Sequence, residues 1–162
     1  MGAVWWCLCF CVLGILAVPC RGIKPEEVTI DVILLDDEAS PWSLKFVKGE
    51  IEKAIETIKT INTSVGPLNF TPNFEGFNTN FYRNRGCRSS ACEGVDKIQI
   101  LLDSHKLGCS VLGPTCTYAT FHIVDVEQGL KHSTPILSAG SFGLSCDNTV
   151  NLQRLLPPAR KI

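Results

Sequence analysis

The sequence has little excess of charge of either sign. Its 15 basic and 16 acidic side chains give a formal net charge of -1, and both signs are scattered along the chain. Nucleic-acid-binding domains and polybasic membrane anchors instead concentrate Lys and Arg in one patch. The composition therefore predicts no nucleic-acid partner and no electrostatic contact with a membrane surface.

The sequence also lacks the spacings that hold metals and phosphates. Cys87-x4-Cys92 and Cys109-x6-Cys116 are not the two-residue knuckles typical of structural zinc sites. The segment Gly113 to Cys116 has one glycine and no following lysine, so it is not a phosphate cradle. It does place backbone N–H groups at a predicted helix N-terminus, which can bind a small anion; the alternative is a purely structural turn. We predict no metal and no cofactor.

A catalytic constellation is missing as well. Ala139 to Gly143 resembles a relaxed nucleophile elbow that follows a strand, with Ser141 at its centre. An elbow must lead directly into a helix, yet the next residues are typical of a loop. The histidines that could serve as a base all fall on predicted helices: His105, His122 and His132. A hydrolase is the weaker alternative, and the chain is predicted to be non-catalytic.

Only one long apolar run is present, from Ala3 to Val18, at the very N-terminus. It is shorter than the roughly 20 residues of a membrane-spanning helix. We interpret residues 1–22 as a signal peptide cleaved near Cys20 or Gly22, with a membrane anchor as the alternative. Residues 23–162 are enough for one domain with a real core.

In a secreted chain the cysteines are expected to form disulfides, because the compartment is oxidising. Five cysteines follow the signal peptide, and their odd number leaves one thiol over: Cys87, Cys92, Cys109, Cys116 and Cys146. Asn62 and Asn69 each begin an Asn-x-Ser/Thr glycosylation acceptor. Together these features predict an extracellular chain.

Apolar periodicity predicts alternating strands and helices. Strands are predicted at Val28–Leu35, Leu68–Phe77, Cys109–Leu112 and Pro135–Ala139, and helices at Ser40–Ile61, Glu93–Lys106, Tyr118–Lys131 and Leu152–Leu156. Continuous apolar strands that alternate with helices indicate an α/β fold with a doubly wound parallel sheet. Pro72 within the second strand implies an edge strand or an interrupted one. We expect the chain to end without a closing strand.

Local signals refine these elements. Ser40 and Pro41 are expected to cap and open the first helix, and Thr115 or Thr117 to cap the third, with Phe121 and Val124 inward. The fourth strand should be buried on both faces. Ligands of open α/β sheets bind at the carboxyl ends of strands, here the loops that begin at Gly113 and Gly140. The acidic triplet 36–38 could bind a cation or basic ligand, or form a solvated loop.

Several segments carry a resemblance to a known family: CRSSACEGVD, GCSVLGPTCTYATF, PILSAGSFGLSCD and RLLPPARK. They resemble the extracellular ligand-binding region of the receptor guanylyl cyclases, which is shared with the natriuretic peptide receptors. The resemblance extends from about Val28 to the end and is strongest after Cys87. It implies the type I periplasmic-binding-protein fold, of which this chain would supply an incomplete first lobe.

The resemblance also implies a function. Receptors of this kind are single-pass plasma-membrane proteins that associate as homo-oligomers, and one branch senses guanylin-type peptides and heat-stable enterotoxin and makes cyclic GMP. The present chain would be a non-catalytic N-terminal fragment of the extracellular region, secreted if made alone. A secreted binding module of the same fold, taking a small ligand or peptide, is the alternative.

Site residues follow from the family pattern residue by residue. A family disulfide maps onto Cys92 and Cys116, and a second pair, Cys109 with Cys146, is the further expectation. The loop that holds a chloride in natriuretic receptors places Thr115 and Cys116 at the ion, although Thr replaces the usual Gly. The peptide site is attributed to the membrane-proximal part of the ectodomain, so no hormone contact is assigned here.

Overall fold

Strands and helices alternate along the described part of the chain, which comprises residues 27–61, 69–77, 91–141 and 149–156 of a computed structural model. The strands are β1 (Glu27–Leu35), β2 (Asn69–Phe77), β3 (Ser110–Leu112), β4 (Ile136–Ser138) and β5 (Leu152–Arg154). The helices are α1 (Leu44–Lys59), α2 (Ala91–Asp103) and α3 (Thr117–Gly129). None of these helices is long and apolar enough to cross a membrane.

The five strands form one parallel sheet in the order β2-β1-β3-β4-β5. The register pairs Val111 of β3 with Ile136 of β4, and Ile136 in turn with Leu152 of β5. β2 lies at the edge, as predicted from Pro72, whose missing N–H is tolerated there. The predicted doubly wound α/β class is confirmed, and the lobe is consistent with a periplasmic-binding-protein-like fold.

Successive β1 side chains point to opposite faces of the sheet, and each face has its own apolar cluster. On one face, Ile33 and Leu35 pack with residues of α2 and α3, among them Ile98 and Ile123. On the other face, Val32 and Leu34 pack against Leu44 of α1. β1 is therefore buried on both sides, which explains its continuous apolar sequence.

Two helices begin later than their polar residues predicted. α1 starts at Leu44 after Ser43, so Ser40 and Pro41 are not its cap and first residue. Ser40 is instead engaged by Asp37, whose carboxylate accepts bonds from the Ser40 N–H (2.8 Å) and hydroxyl (2.7 Å). α3 follows Cys116 without a side-chain cap bond, so neither predicted threonine caps it.

Two histidines predicted on helices lie beyond the helix ends. His105 follows α2 and has a φ of 55°, and Lys131, with a φ of 58°, precedes His132 after α3. A left-handed residue cannot continue a right-handed helix, so both helices stop before these histidines. His122 does lie on α3, as predicted.

Residues predicted to form a fourth helix instead form β5, and the expectation of no closing strand is also wrong. The N–H of Ile136 donates to the Asn151 carbonyl (2.8 Å), and the N–H of Leu155 donates to the Ser138 carbonyl (3.1 Å). A five-residue helix would leave most of its backbone groups unpaired. The open edge of β4 satisfies them instead.

Burial of β4 and α3 also differs from expectation. Ile136 is fully buried, but Leu137 is 43% exposed, so among the described residues β4 is covered on one face only. In α3, Val124 is buried as predicted, whereas Phe121 is only partly buried. The guanidinium carbon of Arg154 lies 5.8 Å from the centroid of the Phe121 ring.

Candidate functional site

The carboxyl ends of β1, β3 and β4 lie side by side at one edge of the sheet. The segments that leave this edge are residues 36–43, 113–116 and 139–141, and they are the loops in which the sequence placed a ligand. Buried hydrogen bonds connect residues 113–116 to the end of β4, and residues 36–43 are held by partly buried side-chain bonds of their own. This edge is the candidate functional site of the lobe.

The carbonyl oxygen of Pro114 joins two of these loops. It accepts hydrogen bonds from the Ser138 hydroxyl (2.6 Å) and from the Thr120 hydroxyl (2.9 Å). The same Ser138 oxygen accepts the N–H of Ser141 at 3.1 Å. The strand end of β4 and the first turn of α3 are therefore held to a single backbone group.

Two glycines allow the loops to approach this closely. Gly113 has a φ of 102°, and a Cβ there would overlap the carbonyl oxygen of Ile33. A Cβ on Gly140 would lie 3.0 Å from the Cβ of Thr115. The Gly113–Pro114 peptide bond is cis. Only glycine fits the left-handed and crowded position at 113 without strain.

Two hydroxyl groups at this edge have no hydrogen-bond partner within the described residues, namely those of Thr115 and Ser141. Thr115 directly precedes the N-terminal turn of α3, where backbone N–H groups carry partial positive charge. Backbone N–H groups at a helix N-terminus are of the kind that bind a small anion, and Cys116, which is 1% exposed, lies at the same turn. A chloride at Thr115 and Cys116 stays a prediction.

Ser141 is poorly placed to be a nucleophile. It is fully buried, and its Oγ has no base among its described neighbours. His122, on the outer side of α3, is exposed and directs Nδ1 at the Tyr118 carbonyl (2.7 Å). An activated serine needs a base within hydrogen-bond reach, so the geometry does not favour the hydrolase alternative.

The acidic triplet organises its own loop. Asp37 accepts the two bonds from Ser40 described above, and the Asp37 N–H donates to the Ser43 hydroxyl at 2.9 Å. Glu38 forms an exposed ion pair with Lys45. Asp37 is thus engaged within the loop and Glu38 by Lys45 of α1, which supports the solvated-loop interpretation over a cation site.

The cysteines do not pair as the family pattern implied. Cys92 is a free, exposed thiol on α2, whereas Cys116 is disulfide-bonded, so the predicted Cys92–Cys116 bond is wrong. The physical reason is orientation, since Cys92 faces solvent while Cys116 is buried below the start of α3. Cys109 is disulfide-bonded, as expected. Its pairing with Cys146 stays a prediction, because Cys146 lies outside the described residues.

Cys92 lines a shallow groove of about 480 Å³ between α2 and α3. Val95 and Val126 are its apolar lining, and the polar lining residues are Asp96, Gln99, His122 and Asp125. The groove lies on the helical layer, away from the strand ends. In the described part of the chain, no group of His, Cys, Asp and Glu is arranged to hold a metal ion.

One glycosylation acceptor can be located. Asn69 is exposed at the first position of the edge strand β2, and Thr71 is exposed two residues later. This position is accessible to a glycan, although modification itself stays a prediction. Asn62 and the signal peptide, residues 1–22, lie outside the described residues.

Two buried carboxyl groups were not predicted. Asp31, in the middle of β1, and Glu127, on α3, are both fully buried. Burial raises the pKa of Asp31, against the opposing hydrogen bonds from Asn73 and Gly108. A single acid inside the apolar run VTIDVILL is the signal for Asp31, while Glu127 occupies the inward helical position four residues after Ile123.

The parallel sheet, its helices on both faces and the loops gathered at the strand ends define the class of this protein as an α/β lobe of the periplasmic-binding-protein type. No family model matches the chain. Guanylyl cyclase C of Homo sapiens is 38% identical over 136 residues, and that of Mus musculus is 35% identical over 136 residues. The Sus scrofa protein is 37% identical over 135 residues.

Each of these matches covers 82% of this chain but only 12% of the length of the relative. The chain is therefore homologous to a short part of guanylyl cyclase C. This agrees with the resemblance seen in the sequence.

Proposed function

We propose that this chain belongs to the extracellular ligand-binding region of a receptor guanylyl cyclase. The observation that carries the proposal is the 34–38% identity to guanylyl cyclase C over 82% of the chain. The parallel lobe, with its hydrogen-bonded loops at the strand ends, supports it. The chain acts in recognition, and the cyclase activity resides in other parts of the receptor.

In the full-length receptor, an extracellular peptide of the guanylin or enterotoxin type is the ligand. Binding changes the relative populations of two arrangements of paired ectodomains, and the intracellular cyclase responds by making cyclic GMP. The lobe described above contributes the scaffold of this ectodomain. The receptor spans the plasma membrane once, and this chain made alone would be secreted.

Processing of the chain is part of the proposal. Residues 1–22 direct secretion and are removed, leaving residues 23–162 as the N-terminal part of the ligand-binding region. Asn62 and Asn69 carry glycans, and Cys109 pairs with Cys146. The exposed position of Asn69 and the disulfide-bonded state of Cys109 support these assignments.

A receptor chimera tests the proposal. The homologous segment of human guanylyl cyclase C is replaced by residues 23–162, and the protein is produced in cultured cells. We expect the chimera to reach the cell surface and raise cyclic GMP when guanylin or enterotoxin is added. A receptor from which the segment is deleted is the control and should give no response.

Two outcomes would contradict the proposal. Cyclic GMP synthesis from GTP by the purified chain would show that the chain is itself catalytic. A chimera that reaches the surface and binds peptide at the parental level, but gives no cyclic GMP, would show that the lobe cannot serve this receptor. Saturable binding of labelled peptide by the isolated chain would instead favour the secreted binding module.

A further inference from the structure

A buried carboxyl group connects α3 to the start of β5. Glu127 is fully buried near the end of α3, and its Oε2 accepts a hydrogen bond from the Asn151 side-chain amide at 3.1 Å. No hydrogen bond of standard geometry reaches the other carboxyl oxygen, Oε1, within the described residues, although the Thr134 side chain lies close enough to lower the carboxyl pKa. An ionised carboxylate in this position is incompletely compensated for the water it has lost.

Asn151, the residue before β5, makes several of the hydrogen bonds that join this strand to the rest of the lobe. Its amide also donates to the Thr134 carbonyl (3.3 Å), and its side-chain oxygen accepts from Gln128 (3.4 Å). Its backbone carbonyl accepts the N–H of Ile136, the first residue of β4, at 2.8 Å. Any change at Glu127 therefore acts directly on the attachment of the edge strand.

We propose that Glu127 and Asn151 form a proton-dependent latch that holds β5 against β4. The latch is closed when the Glu127 carboxyl is neutral, since a neutral group is compatible with a dry site. It loosens when the carboxyl ionises, because the charge favours entry of water and separation of the Asn151 turn. The latch is independent of which ligand the lobe recognises.

The direction of the pH effect follows from the pKa of the Glu127 carboxyl group. Burial raises the pKa of Glu127 from its usual 4.5 to about 7, against the opposing effects of Thr134 and Asn151. The closed state therefore holds the proton more tightly than an open state in which the carboxyl meets water. The stabilisation is complete below about pH 4.5 and is lost as the pH rises through about 7.

The charged groups on the neighbouring elements do not contribute to this shift, whose causes are burial, Thr134 and Asn151. These groups are Asp125 on α3, Lys131 and His132 after it, and Arg154 on β5. Arg154 lies beside Phe121, six residues before Glu127 on α3. The pH response is assigned to Glu127 because this is the buried group that bonds to Asn151.

Hydrogen exchange of the full chain, followed by NMR at several pH values, tests the latch. The reporting amides are Ile136 and Leu155, which bond across β4 and β5. After correction for intrinsic exchange, their protection should fall by about tenfold per pH unit between about pH 5 and 7 and then level off. The Asp36 amide, bonded to Phe77 on the far side of the sheet, should keep its protection.

Glu127→Gln should make the protection of Ile136 and Leu155 independent of pH, so that wild type and variant agree at pH 5 and differ at pH 8. Asp125→Asn removes an exposed carboxylate from the same helix and should leave the wild-type profile unchanged. If Glu127→Gln does not fold, the ¹³C titration of the wild-type Glu127 carboxyl must share its midpoint with the loss of protection. A flat wild-type profile, or the same fall at Asp36, would overturn the latch.

Discussion

The carboxylate of Asp31 accepts a 2.6 Å hydrogen bond from the backbone N–H of Gly108. Its other oxygen accepts from the side-chain amide of Asn73 at 2.9 Å. Asp31 lies on the inner strand β1, Asn73 is its register partner on β2, and Gly108 lies in the connection from α2 to β3. One buried acid thus joins three segments that are distant in sequence.

We predict that Asp31→Ala destabilises the chain by about 2–4 kcal/mol, because it leaves the Gly108 N–H and the Asn73 amide without acceptors in a buried site. Asp31→Asn keeps an acceptor oxygen and should cost less. Urea unfolding of the oxidised full chain, followed by circular dichroism, measures both. Glu56→Ala, which removes an exposed ion pair with Lys59, is the control and should cost less than about 1 kcal/mol.

An Asp31→Ala variant no less stable than Glu56→Ala would contradict this role. The bond to Gly108 would then be incidental to the packing of β1.

Gly108 itself supplies a second prediction. A Cβ at this position would lie 2.6 Å from the Thr29 carbonyl oxygen and 3.0 Å from Asp31 Oδ2. Both atoms belong to the inner strand β1 and cannot move aside without disturbing the sheet. We therefore expect Gly108→Ala to cost more than about 2 kcal/mol of unfolding free energy in the same urea experiment.

The matched control is Gly49→Ala on α1, where a Cβ would meet nothing within 4 Å. Alanine is the better helix former, so this exposed substitution should stabilise the chain by about 0.5–1 kcal/mol. The same chemical change thus has opposite signs at two positions. Equal effects at both would show that backbone crowding at Gly108 is relieved by local movement.

The long amphipathic and apolar segments could be predicted from sequence because many residues contribute to each pattern. The continuous run of β1 and the Leu44, Val47, Ile51 and Ile55 stripe of α1 are examples. The segment 152–156 was wrongly predicted as a helix, because a five-residue segment with three leucines is too short for its periodicity to distinguish a helix from a strand. The segment forms a strand because it pairs with the open edge of β4, and this tertiary contact is not visible in the local sequence.

The location of the candidate site could be predicted from the sequence, but its hydrogen bonds could not. That the loops after β3 and β4 meet follows from parallel topology. That Pro114 O accepts from Ser138 and Thr120 does not follow, because a hydroxyl can bond to many nearby groups. The cysteine pairing failed for a related reason, since a disulfide needs Cα atoms within about 7 Å of each other, and helix orientation decides that distance.

The free thiol gives a third prediction. Iodoacetamide added to the native, unreduced chain should modify Cys92, because the side chain is exposed and unpaired. Cys109 and Cys116 should be modified only after reduction, since both are in disulfides. Peptide mapping by mass spectrometry reads the outcome. Recovery of an unreduced peptide that links Cys92 to Cys116 would restore the family pairing.

A fourth prediction contrasts two serines of the candidate site, both almost fully buried. Ser138 bonds to Pro114 O and to the Ser141 N–H, so Ser138→Ala leaves a buried N–H without its acceptor. We expect a loss of about 1–3 kcal/mol in unfolding free energy.

Ser141→Ala removes a hydroxyl that has no partner among the described residues, so it should be neutral or stabilising by up to about 1 kcal/mol. The two variants delete the same atom three residues apart, and their difference isolates the effect of the hydrogen bonds to Ser138. Urea unfolding of both variants measures that difference. If Ser141→Ala were more destabilising than Ser138→Ala, the Ser141 hydroxyl would have to make a contact, to a ligand or within the protein, that is stronger than the hydrogen bonds of Ser138. The edge of the sheet would then be organised around Ser141 instead of Pro114.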